Sequence, residues 1–332
     1  MEYADDIIRK VADEALLQWN VRPAKVALVS RTENVVFRID AEEGHAYALR
    51  VHRPGYHTLA ELESEPLWTT ALNAAGVGAP VAEKTRTGGH YAAVGVPGTD
   101  EVRHVGLIPW FDGVGLDQMI EQAPDATTRD SHFQQLGRLM ATMHEQAATW
   151  TPPPGFQRHA FDEAGLMGEA PFWGRFWDVP ELTSPQRAVL IAARSRLHTR
   201  LSEYGKDPRT YSMIHADLRS TNVLVAGDQV HVIDFDDAGF GWHLYDVAVA
   251  LAEPYALDSD YEPIRDALVE GYRARRALSD EDLALLPQFL VARLLASLGW
   301  LHDRPEVDLY ALLPTMIEIA CGHADALVNN SP

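Results

Sequence analysis

A single cysteine, Cys321, stands in a chain of 332 residues. That excludes an internal disulfide framework and a four-cysteine zinc site. No unbroken apolar run approaches the ~18 residues of a membrane span, and the start, Met1-Glu2-Tyr3-Ala4-Asp5-Asp6, lacks the basic and apolar segments of a signal peptide. A soluble, cytoplasmic protein with no membrane partner is the expectation. Positive charge is also scarce: 28 Lys and Arg stand against 48 Asp and Glu, a net charge of −20. This argues against a nucleic-acid partner, because phosphate-backbone binding needs clustered cations. An acidic cleft would draw a cationic small molecule, although acidity for solubility alone explains the same number. No internal repeat or low-complexity tract occurs. With 46% hydrophobic residues the chain can bury a sizeable core.

One segment carries chemistry. His215-Ala216-Asp217-Leu218-Arg219-Ser220-Thr221-Asn222 reads H-x-D-L-x-x-x-N, and Ile233-Asp234-Phe235-Asp236-Asp237 follows it. Between them Val223–Val225 and Val230–Ile233 are β-prone and Ala226-Gly227-Asp228-Gln229 is a turn, so a hairpin brings Asn222 and Asp234 back together. This is the order and spacing of a kinase catalytic loop with the metal-binding strand behind it. Phosphoryl transfer needs a carboxylate at the acceptor hydroxyl, which Asp217 supplies, and hard oxygen ligands for Mg²⁺ on the nucleotide phosphates, which Asn222 and Asp234 supply.

Ile214–Leu251 resembles the aminoglycoside phosphotransferase / choline kinase / type II homoserine kinase superfamily. The resemblance rests on I-H-A-D-L-R-S-T-N-V-L-V and V-I-D-F-D-D-A-G-F-G-W-H-L-Y-D-V-A, on the small Ala216 after the histidine, and on a second aspartate, Asp246. Weaker similarity runs along nearly the whole chain. It implies an α+β, two-lobed, protein-kinase-like fold with ATP between the lobes. The smaller, antiparallel-sheet lobe would span 1–110. The larger, mainly helical lobe would span 111–332 and hold the catalytic loop 214–222 and the metal segment 233–237. Asp246 would anchor the catalytic-loop backbone.

The pattern of the chain agrees. A helix is predicted over 3–18, strands over Lys25–Ser30, Asn34–Asp40 and Tyr47–Val51, and a helix over Thr58–Ala75. Strands follow at Val81–Glu83, His90–Val96 and Val102–Trp110, and a hinge at Ile108–Gly113. Beyond it the spacing predicts helices at Thr127–Ala147, Pro185–Tyr204, Leu244–Glu253, Tyr261–Ala274, Asp280–Leu301 and Val307–Val328.

On the nucleotide side, Arg50 in the third strand sits where the superfamily has its phosphate-contacting basic residue, often lysine; arginine keeps the charge. Glu65 resembles the carboxylate that pairs with it, and Glu61, one helical turn earlier, is the alternative. Pro66 raises the question of whether the helix begins there. No G-x-G-x-x-G loop exists. The turn from Val29 to Asn34, with Ser30 and Asn34, is the candidate phosphate cover, and the backbone of Ile108–Phe111, including Trp110, the candidate adenine contact.

On the catalytic side, Asp217 orients the acceptor hydroxyl and takes its proton, and Arg219 either places charge near the moving phosphoryl group or packs on the loop or against a surface carboxylate. His215 reads as a buried brace, and His144 and His243 as core or surface residues. Asp234 is the principal metal ligand; Asp236 or Asp237 ligates a second Mg²⁺, touches substrate or faces solvent. Phe172, Trp173, Phe176 and Trp177 form either packing or a cation–π wall for an ammonium group.

The reading is an ATP- and Mg²⁺-dependent phosphotransferase acting on a hydroxyl of a small, amine-bearing acceptor. A bacterial stress-response-type protein Ser/Thr kinase and a non-enzymatic nucleotide-binding regulator are the rivals.

Overall fold

The structure, a computed structural model, describes residues 3–32, 34–257, 260–305 and 307–329. The chain's first two residues and Glu33, which the expected phosphate cover Val29–Asn34 includes, lie outside them. Two compact units are present. The first holds the residues up to Gly113 together with Thr151–Gln157 and Leu224–Ile233; the second holds the rest.

In the first unit, α1 (Asp5–Leu16) opens with two acids at its positive end. Five strands follow: β1 (Pro23–Arg31), β2 (Val35–Ala41), β3 (Ala46–Val51), β4 (Tyr91–Gly95) and β5 (Val102–Pro109), with α2 (Leu59–Ala74) between β3 and β4. The sheet order is β1-β2-β3-β5-β4, and every neighbouring pair is antiparallel. Phe37, Ile39, Leu49 and Val51 point to one face and form a core with Ile8, Val11 and Leu16 of α1. Burial of such side chains is worth about 1.5–3 kcal/mol each. Strand alternation sends Arg50 the other way. Val36 pairs with Arg50 and Arg38 with Ala48, so these four residues share the face opposite that core.

Thr58 and Glu61 start α2 with a reciprocal capping box. The helix then runs through Pro66 rather than beginning at it. Val81–Glu83 is not a strand. It lends one N–H, from Glu83 to the Leu107 carbonyl at 2.7 Å, while the Glu83 carbonyl accepts from Trp19 Nε1 at 3.0 Å. The hairpin strands 223–226 and 229–232 lie side by side in one sheet, with Gly227 in the left-handed region at the turn. Val232 N–H donates to the Gly78 carbonyl at 2.7 Å and His231 stacks on Phe111 at 4.1 Å, which groups the hairpin with the first unit.

The second unit is mainly helical: α3 (Ala126–Thr149), α4 (Ser184–Tyr204), α5 (His243–Leu257), α6 (Tyr261–Arg273), α7 (Leu286–His302) and α8 (Leu313–Asn329), with shorter helical turns between them. α3 and α6 cross where both lack a side chain. A Cβ on Gly137 would sit 2.1 Å from the Leu268 carbonyl oxygen, and one on Gly271 would sit 2.0 Å from that of Gln134. The expected helix Asp280–Leu301 is broken: Asp280–Leu283 ends before α7, because Pro287 has no N–H to continue the ladder and disfavours helix before it. The helix expected from Val307 starts at Leu313, after a 3₁₀ turn.

Among the described residues, two C-terminal segments, Asp280–His302 and Leu309–Asn329, are, by length and composition alone, long and apolar enough to cross a membrane. No unbroken apolar run announces them, since Arg293 interrupts the first. α7 directs its apolar surface into the unit's core, with Phe289, Leu290, Leu295 and Leu298 buried. The strand Tyr211–Ile214 runs antiparallel to Gly239–Trp242. The first leads directly into the loop at His215; the second leads into α5, which carries Asp246.

Candidate active site

The loop after Ile214 is held from beneath. The Asp246 carboxylate accepts the N–H of His215 at 3.0 Å and that of Ala216 at 2.7 Å. His144 Nε2 lies 3.0 Å from the same carboxylate, and its Nδ1 lies 2.9 Å from the Tyr272 hydroxyl. His243 stacks on His144 at 4.3 Å and meets Ser212 Oγ at 2.8 Å. Both histidines are therefore core residues. Burial pushes Asp246 up to about 6. Burial, with Arg276 nearby, pulls His144 down to about 3. This network allows Ala216 an uncommon backbone, with φ of 62°. His215 is fully buried. Its Nδ1 accepts the Asp217 N–H at 3.3 Å, which leaves that nitrogen without a proton of its own. The ring braces the loop and is not placed as a base.

Asp217 projects from this frame with a carboxylate that accepts from three side chains. Oδ1 lies 2.9 Å from Arg293 Nη2 and 3.2 Å from Arg219 Nε. Oδ2 takes Arg219 Nη2 at 3.2 Å and Asn222 Nδ2 at 2.9 Å. Asn222 Nδ2 also donates to the Asp217 carbonyl at 2.8 Å. With its amide nitrogen so committed, Asn222 has its oxygen left to offer a cation.

Asp234 opens the next segment, with φ of 64° and an exposed side chain. Asp236 and Asp237 behind it are buried. The turn is stapled by residues no motif announced: Arg158 donates to the carbonyls of Phe235, Asp236 and Ala238, and His159 Nε2 lies 2.9 Å from the Asp237 carbonyl. Amide and carboxylate oxygens on Asn222 and Asp234 are the donor types Mg²⁺ prefers. The residues present therefore fit that ion.

In the first unit, Arg50 Nη1 lies 3.6 Å from Glu65 Oε1, and both residues are 7% exposed. Glu61 is used elsewhere: its carboxylate caps α2 at Thr58 N, 2.8 Å away. Asn34 is buried, and its Oδ1 accepts the Arg53 N–H at 3.0 Å. Ser30 sits at an irregularity in the β1–β2 pairing. Ile108 pairs with Ala48. Trp110 gives its own N–H to the Ala46 carbonyl at 2.9 Å, and its ring lies under Arg38 at 4.8 Å. An open cleft of about 620 Å³ is lined by Trp110, Arg38, Asp40, Tyr47, Glu83 and Asp112, among others.

The aromatic segment is packing. Trp173 and Trp177 are each 5% exposed. Arg293 lies over Trp173 at 4.4 Å, and Arg194 over Trp177 at 4.1 Å. The cation on each ring is the protein's own, and the Trp173 indole N–H is aimed at Asp237 Oδ1, 3.3 Å away.

Comparison with known proteins gives the family and the fold. The model of the "Phosphotransferase enzyme family" matches residues 26–287. A solved structure of a microcompartment-associated aminopropanol kinase is 34% identical over 97% of both chains, with a TM-score of 0.82. Amicoumacin kinase of Bacillus subtilis (strain 168) is 26% identical over 238 residues, 67% of each chain. A homoserine kinase of Rhizobium rhizogenes (strain K84 / ATCC BAA-868) is 30% identical over 190 residues, 56% of this chain and 53% of its own length.

Proposed function

The chain belongs to the phosphotransferase enzyme family, and we propose that it moves the γ-phosphoryl group of ATP, with Mg²⁺, to a hydroxyl of a small acceptor that carries an amine. The observation that carries the reading is Asp217: a carboxylate fixed by Asn222 and two arginines on a loop whose backbone is anchored by Asp246. In this reading Asp217 orients the acceptor hydroxyl and takes its proton as transfer completes. Arg219, half exposed beside it, offers positive charge to the moving phosphoryl group. Asn222 and Asp234 would hold Mg²⁺, with Asp236 in the smaller part. The metal ion, when bound, neutralises charge on the phosphate oxygens. Arg50, kept in place by Glu65, supplies the cation toward the phosphates. Ser30 and Asn34 cover them, and the segment from Ile108 through Trp110 meets the adenine with the backbone groups that its strand pairing leaves open, the Trp110 N–H being already given to the Ala46 carbonyl.

An amine on the acceptor is supported by the acidity of the chain and by the likeness to an aminopropanol kinase. The carboxylates then carry that recognition, since the two tryptophans are already faced by arginines. Relatives named for small molecules favour this reading over a protein kinase. Retention of Asp217, Asn222 and Asp234 favours it over a non-catalytic regulator. An ATP-consumption screen across amino alcohols, amino acids, aminoglycosides, nucleosides and a generic protein acceptor tests it. Turnover that is fastest with an amino alcohol or hydroxy amino acid supports the reading. A protein as best acceptor contradicts it.

A further inference from the structure

Asp217 meets two arginines of different kinds. Arg219 is a neighbour on the loop with its side chain 51% exposed. Arg293 comes from α7, with its side chain 9% exposed. Its guanidinium donates to Asp217 Oδ1 at 2.9 Å and to the Ala216 carbonyl at 3.4 Å, while its face covers the Trp173 ring at 4.4 Å. Trp173 is in turn directed at Asp237. A planar fork that grips two oxygens of one loop while stacked on an indole is a task lysine cannot reproduce.

The hydrogen bonds on Asp217 explain why this matters. A carboxylate has about four acceptor positions; three hydrogen bonds reach this one, from Arg293, Asn222 and Arg219 Nη2, and Arg219 Nε adds an ion-pair contact at 3.2 Å on Oδ1. An acceptor hydroxyl that takes the remaining position meets Arg219, which lies against both oxygens. The Arg219 pairing, with the arginine side chain 51% exposed, is the more screened and so the weaker one, and is the one that yields. Arg293 and Asn222, both buried, remain and fix the carboxylate's direction.

We propose that Arg293 is a positioning residue, the fixed guanidinium that aims Asp217 at the acceptor hydroxyl while Arg219 gives way to it. This rests on the role given to Asp217. It assigns a function to a residue 76 positions from the motif, and it links the loop bearing Trp173 to the reacting end of the site.

Steady-state kinetics of Arg293→Gln and Arg293→Lys, each alone and combined with Asp217→Asn, test it. Arg293→Gln is expected to lower kcat about a hundredfold, the scale of a misplaced reacting group, with the KM for MgATP within about twofold of wild type. Arg293→Lys should recover part of that loss. In the Asp217→Asn background neither substitution should change the residual rate, because a residue that acts through Asp217 has nothing left to act on. An Arg293→Gln enzyme that keeps its kcat while Asp217→Asn has lost it overturns the proposal. So does an equal loss in both backgrounds, which would mark plain packing. Turnover retained by Asp217→Asn itself would instead overturn the role of Asp217. If Arg293→Gln does not fold, Arg293→Lys decides: a fall of about tenfold in kcat at unchanged nucleotide KM is expected, and full kcat overturns the proposal.

Discussion

Arg50 is a cation held almost out of water beside a carboxylate equally buried. Such a pair is weak evidence for stability, and removal of one partner is costly because the other charge is left alone. On the present account its use is to present charge to phosphates. Arg50→Lys should therefore keep most activity, and Arg50→Ala should raise the KM for ATP or lower kcat by tenfold or more, read from initial rates. An alanine variant equal to wild type would make Arg50 an ordinary strand cation. Ala216 makes a different kind of prediction. Its left-handed backbone costs about 1–2 kcal/mol for a residue with a Cβ, so Ala216→Gly relieves strain. The extra freedom glycine gains when unfolded returns about 0.4–1 kcal/mol of that. Urea denaturation should show unchanged or slightly higher stability for Ala216→Gly and a clear loss for the β-branched Ala216→Val. The reverse order would mean that the loop is not held in this conformation.

The elements show what a linear reading can and cannot carry. The alternating runs of β1–β3 and the H-x-D-x-x-x-x-N segment are local patterns, so strand positions and Asp217, Asn222 and Asp234 are legible in sequence. The Thr58–Glu61 capping box is local too, and it separates Glu61 from Glu65: one caps the helix and the other faces Arg50. Arg293 and Arg158 are not legible. Each is a single arginine far along the chain, placed by helix packing or by a turn, and no spacing rule joins them to Asp217 or to the 235–238 carbonyls. Val81–Glu83 misleads for the same reason, since its composition is β-prone but its partners are one carbonyl and one indole.

The junction of α3 with α5 also sets a pH dependence. An unfolded His144 takes up a proton below about pH 6.5, whereas the folded ring stays neutral down to about 3. Acid therefore favours the unfolded chain, and stability falls from about pH 6.5 downward. His243, also lowered by burial, adds to this. Asp246 opposes it: raised to about 6, it binds its proton in the fold before the unfolded carboxyl does near 3.9, which returns some stability between those values. Two histidines against one aspartate leave a net loss. Thermal melts should show Tm falling between pH 7 and pH 5, with a shallower slope in His144→Gln. An unchanged slope would remove His144 from the account.

At the scale of the whole molecule, a net charge of −20 sets up attraction for a cationic acceptor that salt screens, with a Debye length of about 10 Å at 0.1 M. The KM for an amine acceptor should rise with ionic strength while kcat holds, and a neutral alcohol of the same size should show no such rise. Equal salt dependence for the two would place amine recognition outside long-range electrostatics. Trp173→Ala belongs here as well. Because Arg293 already occupies its ring, the substitution should act on kcat through Arg293 more than on the acceptor KM. Composition is the ground for expecting a cationic acceptor, and it says nothing of the means of binding one, since only packing reveals which aromatic faces are taken.

Under the proposed function, Asp217 acts on the acceptor and not on the nucleotide. The most direct test is to measure, on one preparation of Asp217→Asn, the rate of phosphoryl transfer and the affinity for MgATP. Transfer should fall by at least about a hundredfold, the scale of a lost general base, while MgATP affinity stays within about twofold of wild type. Transfer within tenfold of wild type would contradict the account.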